Sequence, residues 1–347
     1  MAVPILFLLV FIAIVYFLQT WSINNALKGV EYKREVSKVL NAPGEPFTLI
    51  TTITNTSFRL IPFVSVQENL TSEISHKFTV YLKPRSILVR SVEASLPARG
   101  RYFFSKANIY GGDFLGINER REEFRTRCEI VVYPQEARGN YLDRVTGSFL
   151  GDISVSRFIV PDPTLVIGFD VYTGREPMKS ISWPQTLRAG QMMVKKYDYT
   201  TEVSATVVLS LDYLSDSGFK LPDGAPELIE KCLSIARTIC ETLNKRNIRY
   251  DFFSNISSVG RAGAWDYVNE GLGSKHLSHI LEGLGRATHY RSETLDKLAL
   301  RVSKRQMVNK SVIFIVPNDE DKAMQIIRQA GKEIRSVTVI AADRLGG

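Results

Sequence analysis

The stretch Val203 to Asp212, which reads VSATVVLSLD, decides the fold of the second half of this chain. Its side chains are apolar almost without interruption, as expected of a strand that is covered on both faces of a parallel sheet. The run ends on Asp212, and open α/β sheets bind ligands beyond the carboxyl ends of their strands. The sequence therefore predicts an α/β domain over residues 201–347, with a candidate site at Asp212.

The residues after this strand alternate between helical and strand patterns. Pro226 opens a helix whose apolar stripe extends to Leu243. Further helices are predicted near 277–284, 295–302 and 323–334, and further strands at 249–253, 312–316 and 337–341. Such alternation predicts a Rossmann-like parallel sheet flanked by helices.

The region 28–137 has a different pattern. Runs of strand length, rich in β-branched residues, occur at 47–54, 87–96, 101–110 and 129–133, and Pro97, Gly100 and Gly116 separate them. Because helical periodicity is missing here, the sequence predicts a small antiparallel β-sandwich. Residues 138–200 are then a connecting segment between the two domains.

The first residues predict a transmembrane anchor over 1–22. From Met1 to Leu18 the one hydrogen-bonding side chain is that of Tyr16, and Trp21 follows at the depth of a membrane interface. About 20 such residues span the hydrocarbon layer of roughly 30 Å. A cleaved signal peptide is the alternative, but it needs a positive charge before the apolar run, and none precedes it.

Charge sets the expected orientation. Lys28, Lys33, Arg34 and Lys38 all follow the helix, so the positive-inside rule keeps both domains in the cytoplasm. The chain of 347 residues has a net charge of +8, but its cations are interspersed with acids. This pattern argues against nucleic acid as a partner and is compatible with attraction to anionic membrane lipids.

A motif precedes the central strand. Its residues are Tyr172, Gly174, Lys179, Ile181, Trp183 and Arg188. It resembles the signature of bacterial domain-of-unknown-function family 58, Arg-x-Tyr-x-x-Gly-Asp-x-x-Arg-x-Ile-x-Trp followed by Ser-Ala-Arg. This chain departs from that signature, since Asp170 stands at the first Arg and Arg175-Glu176 at the Gly-Asp pair.

The resemblance implies a von Willebrand factor A-like domain and, because members often accompany MoxR-type AAA+ ATPases, a docking role. We therefore expect a membrane-anchored, non-enzymatic interaction protein that docks a MoxR-type AAA+ ATPase or an envelope partner through its von Willebrand A-like domain. Its motif residues would either brace the junction between domains or form a docking surface. The alternative is a metal-dependent hydrolase or transferase component at the cell envelope that uses the Asp212 loop.

A divalent cation site is a further expectation of the resemblance. Von Willebrand A domains begin it with Asp-x-Ser-x-Ser after the first strand, but here Leu214 stands at the first Ser and cannot ligate. The candidate Mg²⁺ ligands are Asp212, Ser215, Ser217 and Asp319. Clustered Asp and Ser in a loop are also ordinary turn formers. His276, His279 and Glu282 lie along one side of a predicted helix and form a weaker metal candidate.

Other signals of catalysis are missing from the sequence. It contains no P-loop, no Gly-x-Ser-x-Gly and no His-Glu-x-x-His. Two of its three cysteines, Cys232 and Cys240, fall on the apolar stripe of a helix. The sequence therefore favours the interaction protein over the enzyme.

Overall fold

The computed structural model describes residues 2–69, 75–112, 118–156, 166–197, 204–212, 225–260, 265–305, 310–330 and 336–345. The chain folds as two compact units, Met1–Tyr133 and Pro134–Gly347. Both α-helices and β-sheets are present, as the sequence predicts.

Helix α1, Ala2–Asn25, opens the first unit. Its described apolar side chains between Phe7 and Trp21 are largely exposed, whereas Ser22, Ala26 and Leu27 are buried at and just beyond its end. Among the residues that the structure describes, no helix combines the length and apolar character that a membrane crossing requires. The anchor over residues 1–22 therefore stays a prediction.

Eight strands follow α1. They are β1 Val30–Val36, β2 Leu40–Asn41, β3 Pro46–Asn55, β4 Ile61–Asn69, β5 Ser75–Leu82, β6 Ile87–Ser95, β7 Gly100–Gly112 and β8 Glu119–Val132. They form an antiparallel three-stranded sheet with the order β1-β3-β6 and a five-stranded sheet with the order β2-β8-β7-β4-β5. Within the second sheet, the short β2–β8 pair is parallel and the other pairs are antiparallel.

Side chains from both sheets share the core, so this unit is a β-sandwich. One apolar cluster joins Ile53 to Val64 and Ile109, and a second joins Leu49 to Ile130. The sequence patterns located β3, β6, β7 and the end of β8, but not β1, β4 or β5.

A polar layer, formed by Tyr32, Arg34, Thr51 and Glu68, also lies inside the sandwich. The guanidinium of Arg34 lies 3.3 Å from the carboxylate of Glu68, and both side chains are fully buried. Glu68 also accepts hydrogen bonds from the hydroxyls of Thr51, at 2.7 Å, and Tyr32. Burial is the main cause of a raised pKa at Tyr32. Arg34, one of the four cations that follow the predicted anchor, is thus a core residue.

Helix α2, Asn140–Ser156, is the first helix of the second unit. It falls in the predicted connecting segment, where it buries Leu142, Phe149 and Ile153. The sequence patterns did not indicate it, because Gly147 and Gly151 are weak helix formers.

The motif lies in a separate element of the second unit, residues 166–197, which we call the motif arm. Its two antiparallel strands are β9 Val166–Val171 and β10 Met193–Tyr197. Between them come a 3₁₀ turn at Met178–Ser180 and the short helix α3, Trp183–Ala189.

In the described residues after the arm there are seven further strands. They are β11 Ser204–Leu209, β12 Arg249–Ser254, β13 Ile256–Ser258, β14 Tyr267–Gly271, β15 Ala287–Arg291, β16 Ser311–Val316 and β17 Ser336–Ala341. Five of them form a sheet with the order β14-β12-β11-β16-β17, in which β14 alone pairs antiparallel, at one edge. In chain order this is 3-2-1-4-5, as in doubly wound folds. The remaining two, β13 and β15, form a short antiparallel pair.

Four α-helices of the described residues accompany these strands. They are α4 Ala225–Lys245, α5 Ser274–Arg286, α6 Leu295–Arg305 and α7 Asp321–Ala330. Each follows a strand of the sheet or of the short pair along the chain, so the alternation that the sequence predicts is present.

Candidate functional site

Backbone hydrogen bonds join the segments of the motif arm that follow β9 to the start of β10. The Tyr172 N–H donates to the Met192 carbonyl at 2.8 Å, and the Ser182 N–H donates to the Met193 carbonyl at 2.8 Å. Ile181 forms an isolated bridge to Val194, and both side chains are buried. Ile181 therefore has a structural role within the arm.

Gly174 and its neighbours form a turn at the end of β9. Gly174 has φ +89°, a conformation that glycine adopts without strain. Thr173 donates from its N–H, at 3.0 Å, and from its hydroxyl, at 2.7 Å, to the carboxylate of Glu176. The Thr173 hydroxyl is the main cause of the lowered pKa of Glu176. The carboxylate of Glu176 therefore stabilises the turn.

Large apolar side chains of the arm are exposed to solvent. Trp183 is 60% exposed, Met178 72% and Leu187 84%. The arm also exposes the side chains of Val166, Ile167, Phe169, Val171 and Met192. Exposed apolar side chains grouped on one element in this way are typical of interaction surfaces.

The arm is basic as well as apolar. Its five cations outnumber its two acids, Asp170 and Glu176. Lys179 and Arg188 are exposed, whereas Asp170 forms an ion pair of 3.4 Å with Lys196 across the two strands. Asp170 is therefore paired with a lysine of the neighbouring strand.

Asp212 lies where the sequence predicts, just beyond the carboxyl end of β11 and next to β16, where the strand order reverses. Its side chain is buried, with only 4% of the residue exposed. Its Oδ2 accepts a hydrogen bond of 2.8 Å from the N–H of Leu295, the first residue of α6. Its Oδ1 forms an ion pair with Arg291. Asp212 thus holds the start of α6 against the sheet, as a capping carboxylate does.

Asn255, which sequence reasoning missed, is the second polar residue of this edge. It is fully buried, and its Oδ1 accepts from the Leu211 N–H at 2.9 Å. Its Nδ2 donates to the Ser210 hydroxyl at 3.2 Å and to the Glu293 carbonyl at 3.1 Å. The available signal was its position directly after strand β12, at the same edge as Asp212.

The predicted metal ligands are only partly described. Ser215 and Ser217 lie outside the described residues. Asp319 is described, and it pairs with Arg344 rather than with Asp212. Within the described ranges no group of three or more His, Cys, Asp or Glu is placed to hold a metal ion. The Mg²⁺ site therefore stays a prediction, and both of its described carboxylates are engaged by arginines.

The weaker metal candidates and the cysteines make contacts that are typical of structural residues. His276 packs edge-on against the Tyr250 ring at a centroid distance of 4.8 Å, and burial is the main cause of its lowered pKa. Glu282 pairs with Arg286 at 3.0 Å. Burial raises the pKa of all three cysteine thiols, which disfavours the nucleophilic thiolate; they are Cys128, Cys232 and Cys240.

Comparison with known proteins gives no family. No protein-family model and no curated protein matches the chain. Among solved structures, the CARDB domain of a Pyrococcus furiosus protein is 14% identical, with 30% of this chain and 94% of that one covered and a TM-score of 0.23. A PapD-like domain of human CEP192 is 12% identical, with 30% and 86% covered and a TM-score of 0.21.

The sporulation control protein Spo0M of Bacillus subtilis is 11% identical, with 42% of this chain and 58% of that one covered and a TM-score of 0.19. Likenesses this weak carry no argument about the fold or function of this chain.

Proposed function

We propose that this chain is a membrane-anchored docking protein that binds a protein partner through its motif arm. The observation that carries the proposal is the exposure of Trp183, Leu187 and Met178 on one short element. Exposed apolar patches of this kind mark interaction sites, and Trp is among the side chains that contribute most to binding energy.

The same proposal includes the resemblance to family 58 and a von Willebrand A-like second domain. Two features support it: the arm carries the motif, and the strand order of the sheet is that of a doubly wound fold with Asp212 at the switch point. From the resemblance, the partner we propose is a MoxR-type AAA+ ATPase. The basic arm suits an acidic surface on that partner.

The anchor is proposed from α1. Its 24 residues correspond to about 36 Å at 1.5 Å per residue, compared with a hydrocarbon layer of roughly 30 Å. Support comes from the apolar side chains that α1 exposes, among them Phe11 at 63% and Phe17 at 69%. The exposed cations Lys28, Lys33 and Lys38 follow the helix, so we place both domains in the cytoplasm.

The alternative function is a metal-dependent hydrolase or transferase component that uses the Asp212 loop. It requires an Asp212 carboxylate that is free to bind a cation or a substrate. In the described part of the chain this carboxylate is buried, caps α6 and pairs with Arg291. These contacts favour the docking protein.

Binding to the purified MoxR-type ATPase of the same organism tests the proposal. The full chain in detergent should bind it, and Trp183→Ala and Leu187→Ala should each raise the Kd about tenfold or more, as at a hot spot. Leu300→Ala is the matched control, because Leu300 is 55% exposed on α6 of the same unit. A parent chain that does not bind, or arm variants that bind as tightly as the parent, would refute the proposed partner surface.

Topology is tested separately in whole cells. Tyr81 is 62% exposed, and a Tyr81→Cys variant should resist a membrane-impermeant maleimide until the cells are lysed. Rapid labelling of intact cells would contradict the cytoplasmic placement.

A further inference from the structure

Three turns meet at one end of the β-sandwich, next to the end of α1. The buried side chain of Asn55 joins two of them, since its Nδ2 donates to the Arg59 carbonyl at 2.8 Å and to the Lys83 carbonyl at 2.9 Å. The third turn joins α1 to β1, and its Gly29 carbonyl accepts from the Thr56 N–H at 2.8 Å. We call this end of the sandwich, with residues 28–29, 56–60 and 83–86, the basal platform.

The basal platform exposes apolar side chains where a folded domain normally places polar ones. Phe58 is 75% exposed and Leu60 is 48% exposed. Trp21, on the last turns of α1, is 46% exposed beside them. Trp side chains, which combine apolar area with a polar N–H, are enriched at membrane–water interfaces.

Cations accompany these apolar side chains. The Arg85 guanidinium lies 3.8 Å from the centroid of the Phe58 ring, and that of Arg59 lies 5.6 Å from the Trp21 ring. The platform's own turns carry four cations and no acid, the other two cations being the exposed lysines at positions 28 and 83. An anionic surface would therefore meet attraction across the whole platform.

A small cavity lies between the platform and α1. It has a volume of about 250 Å³ and is lined by residues that include Trp21, Ser22, Asn25, Arg59 and Gly112. Its polar lining and its arginine suit a phosphate group, and its apolar lining suits the start of an acyl chain.

Close packing between β7 and the residues just after α1 fixes the position of the platform along the axis of α1. A Cβ on Gly111 would lie 2.8 Å from the Leu27 side chain, so strand β7 and the chain just after α1 are in close contact. The platform is thereby held level with Trp21. If α1 crosses the bilayer, this is the level of the lipid headgroups.

We propose that the basal platform binds the anionic phospholipid surface around the anchor, with Phe58 and Leu60 at the acyl boundary and Arg59 and Arg85 on headgroup phosphates. This inference rests on the proposed membrane anchor. The anchor and the platform together give two membrane contacts, which limits how the β-sandwich can tilt against the bilayer.

The test uses the full chain in vesicles of phosphatidylcholine, with or without phosphatidylglycerol. An environment-sensitive fluorophore is attached through Phe58→Cys, and quenching by lipids that carry a quencher near the headgroup is measured. The matched control is Phe103→Cys, because Phe103 is 50% exposed and has its own arginine, Arg101, at 5.1 Å from the ring. Phe103 lies eight residues from Gly111 along β7, or about 26 Å at 3.3 Å per residue.

The expected result is quenching at position 58 that grows with phosphatidylglycerol, and little quenching at position 103. Each arginine near an anionic surface contributes about fivefold in affinity, equivalent to about 1 kcal/mol. Arg59→Gln with Arg85→Gln should therefore lower the affinity of the platform for the phosphatidylglycerol surface by up to about 25-fold, which weakens the quenching at position 58, and Arg101→Gln should leave it unchanged.

One result would overturn the platform and a different result would overturn the anchor. A chain that floats with the vesicles and resists carbonate extraction, but whose position 58 is not quenched or does not respond to phosphatidylglycerol, overturns the platform and leaves the anchor. A chain that carbonate extracts from the vesicles overturns the anchor itself.

Discussion

Replacing Arg34 by Met should destabilise the β-sandwich strongly, because it leaves the carboxylate of Glu68 buried without its cation. The two side chains are 0% and 1% exposed, and their charged groups lie 3.3 Å apart. Breaking a buried ion pair from one side costs about 3–5 kcal/mol. Glu68 keeps its hydrogen bonds from Tyr32 and Thr51, so we expect the lower end of that range.

The assay is hydrogen exchange of peptides from β3, β4 and β7 in the full chain, because it reports the opening of this unit separately from the second unit. A loss of about 3 kcal/mol corresponds to exchange that is faster by about two orders of magnitude. Arg101→Met is the matched control: the Arg101–Glu129 pair, at 2.7 Å, is 23% and 21% exposed, so its loss should cost about 1 kcal/mol or less.

The double variant Arg34→Met with Glu68→Leu completes the test. Replacing both partners of a buried pair by apolar residues is often neutral or stabilising, so most of the lost protection should return. If Arg34→Met exchanges like the parent, or if the double variant is as unstable as the single one, the reasoning about an uncompensated charge is refuted.

Substitutions at Asp212, Gly111 and His276, each with its own comparison, have expected effects on stability. Asp212→Ala should lower the free energy of unfolding by about 2–3 kcal/mol, because it leaves the Leu295 N–H and the paired arginine without their buried partner. Asp212→Asn should cost less, and equal losses of the two variants in thermal melts would contradict the capping role. Gly111→Ala should lower the melting temperature, since its Cβ would lie 2.8 Å from the buried side chain of Leu27 just after α1. Gly147→Ala, in a helix with open space around the position, should be neutral or stabilising in the same melts. Burial lowers the pKa of His276, so the unfolded state binds its proton more readily than the folded state does. The stability of the protein should therefore fall as the pH drops below about 6.5. A His276→Gln variant whose stability has the same pH dependence as that of the parent would contradict this.

Local sequence patterns were sufficient for the buried parallel strands. Strands β11 and β16 are mostly apolar runs, and such runs identify strands that are covered on both faces. Strand β8 was predicted only at its end, because its first half, with Glu119, Arg120 and Arg121, is strongly charged. It is a strand because it pairs with β7 along most of its length, which no local pattern encodes.

The sequence by itself determined that Asp212 would lie at the carboxyl end of the central strand, since apolar periodicity fixes where a strand ends. Only the tertiary structure decided its role, because its partner Leu295 is 83 residues away along the chain. In the same way, the sequence identified the motif but not its exposure. Residue type does not reveal whether Trp183 is packed or solvated, because burial depends on what distant segments of the chain cover.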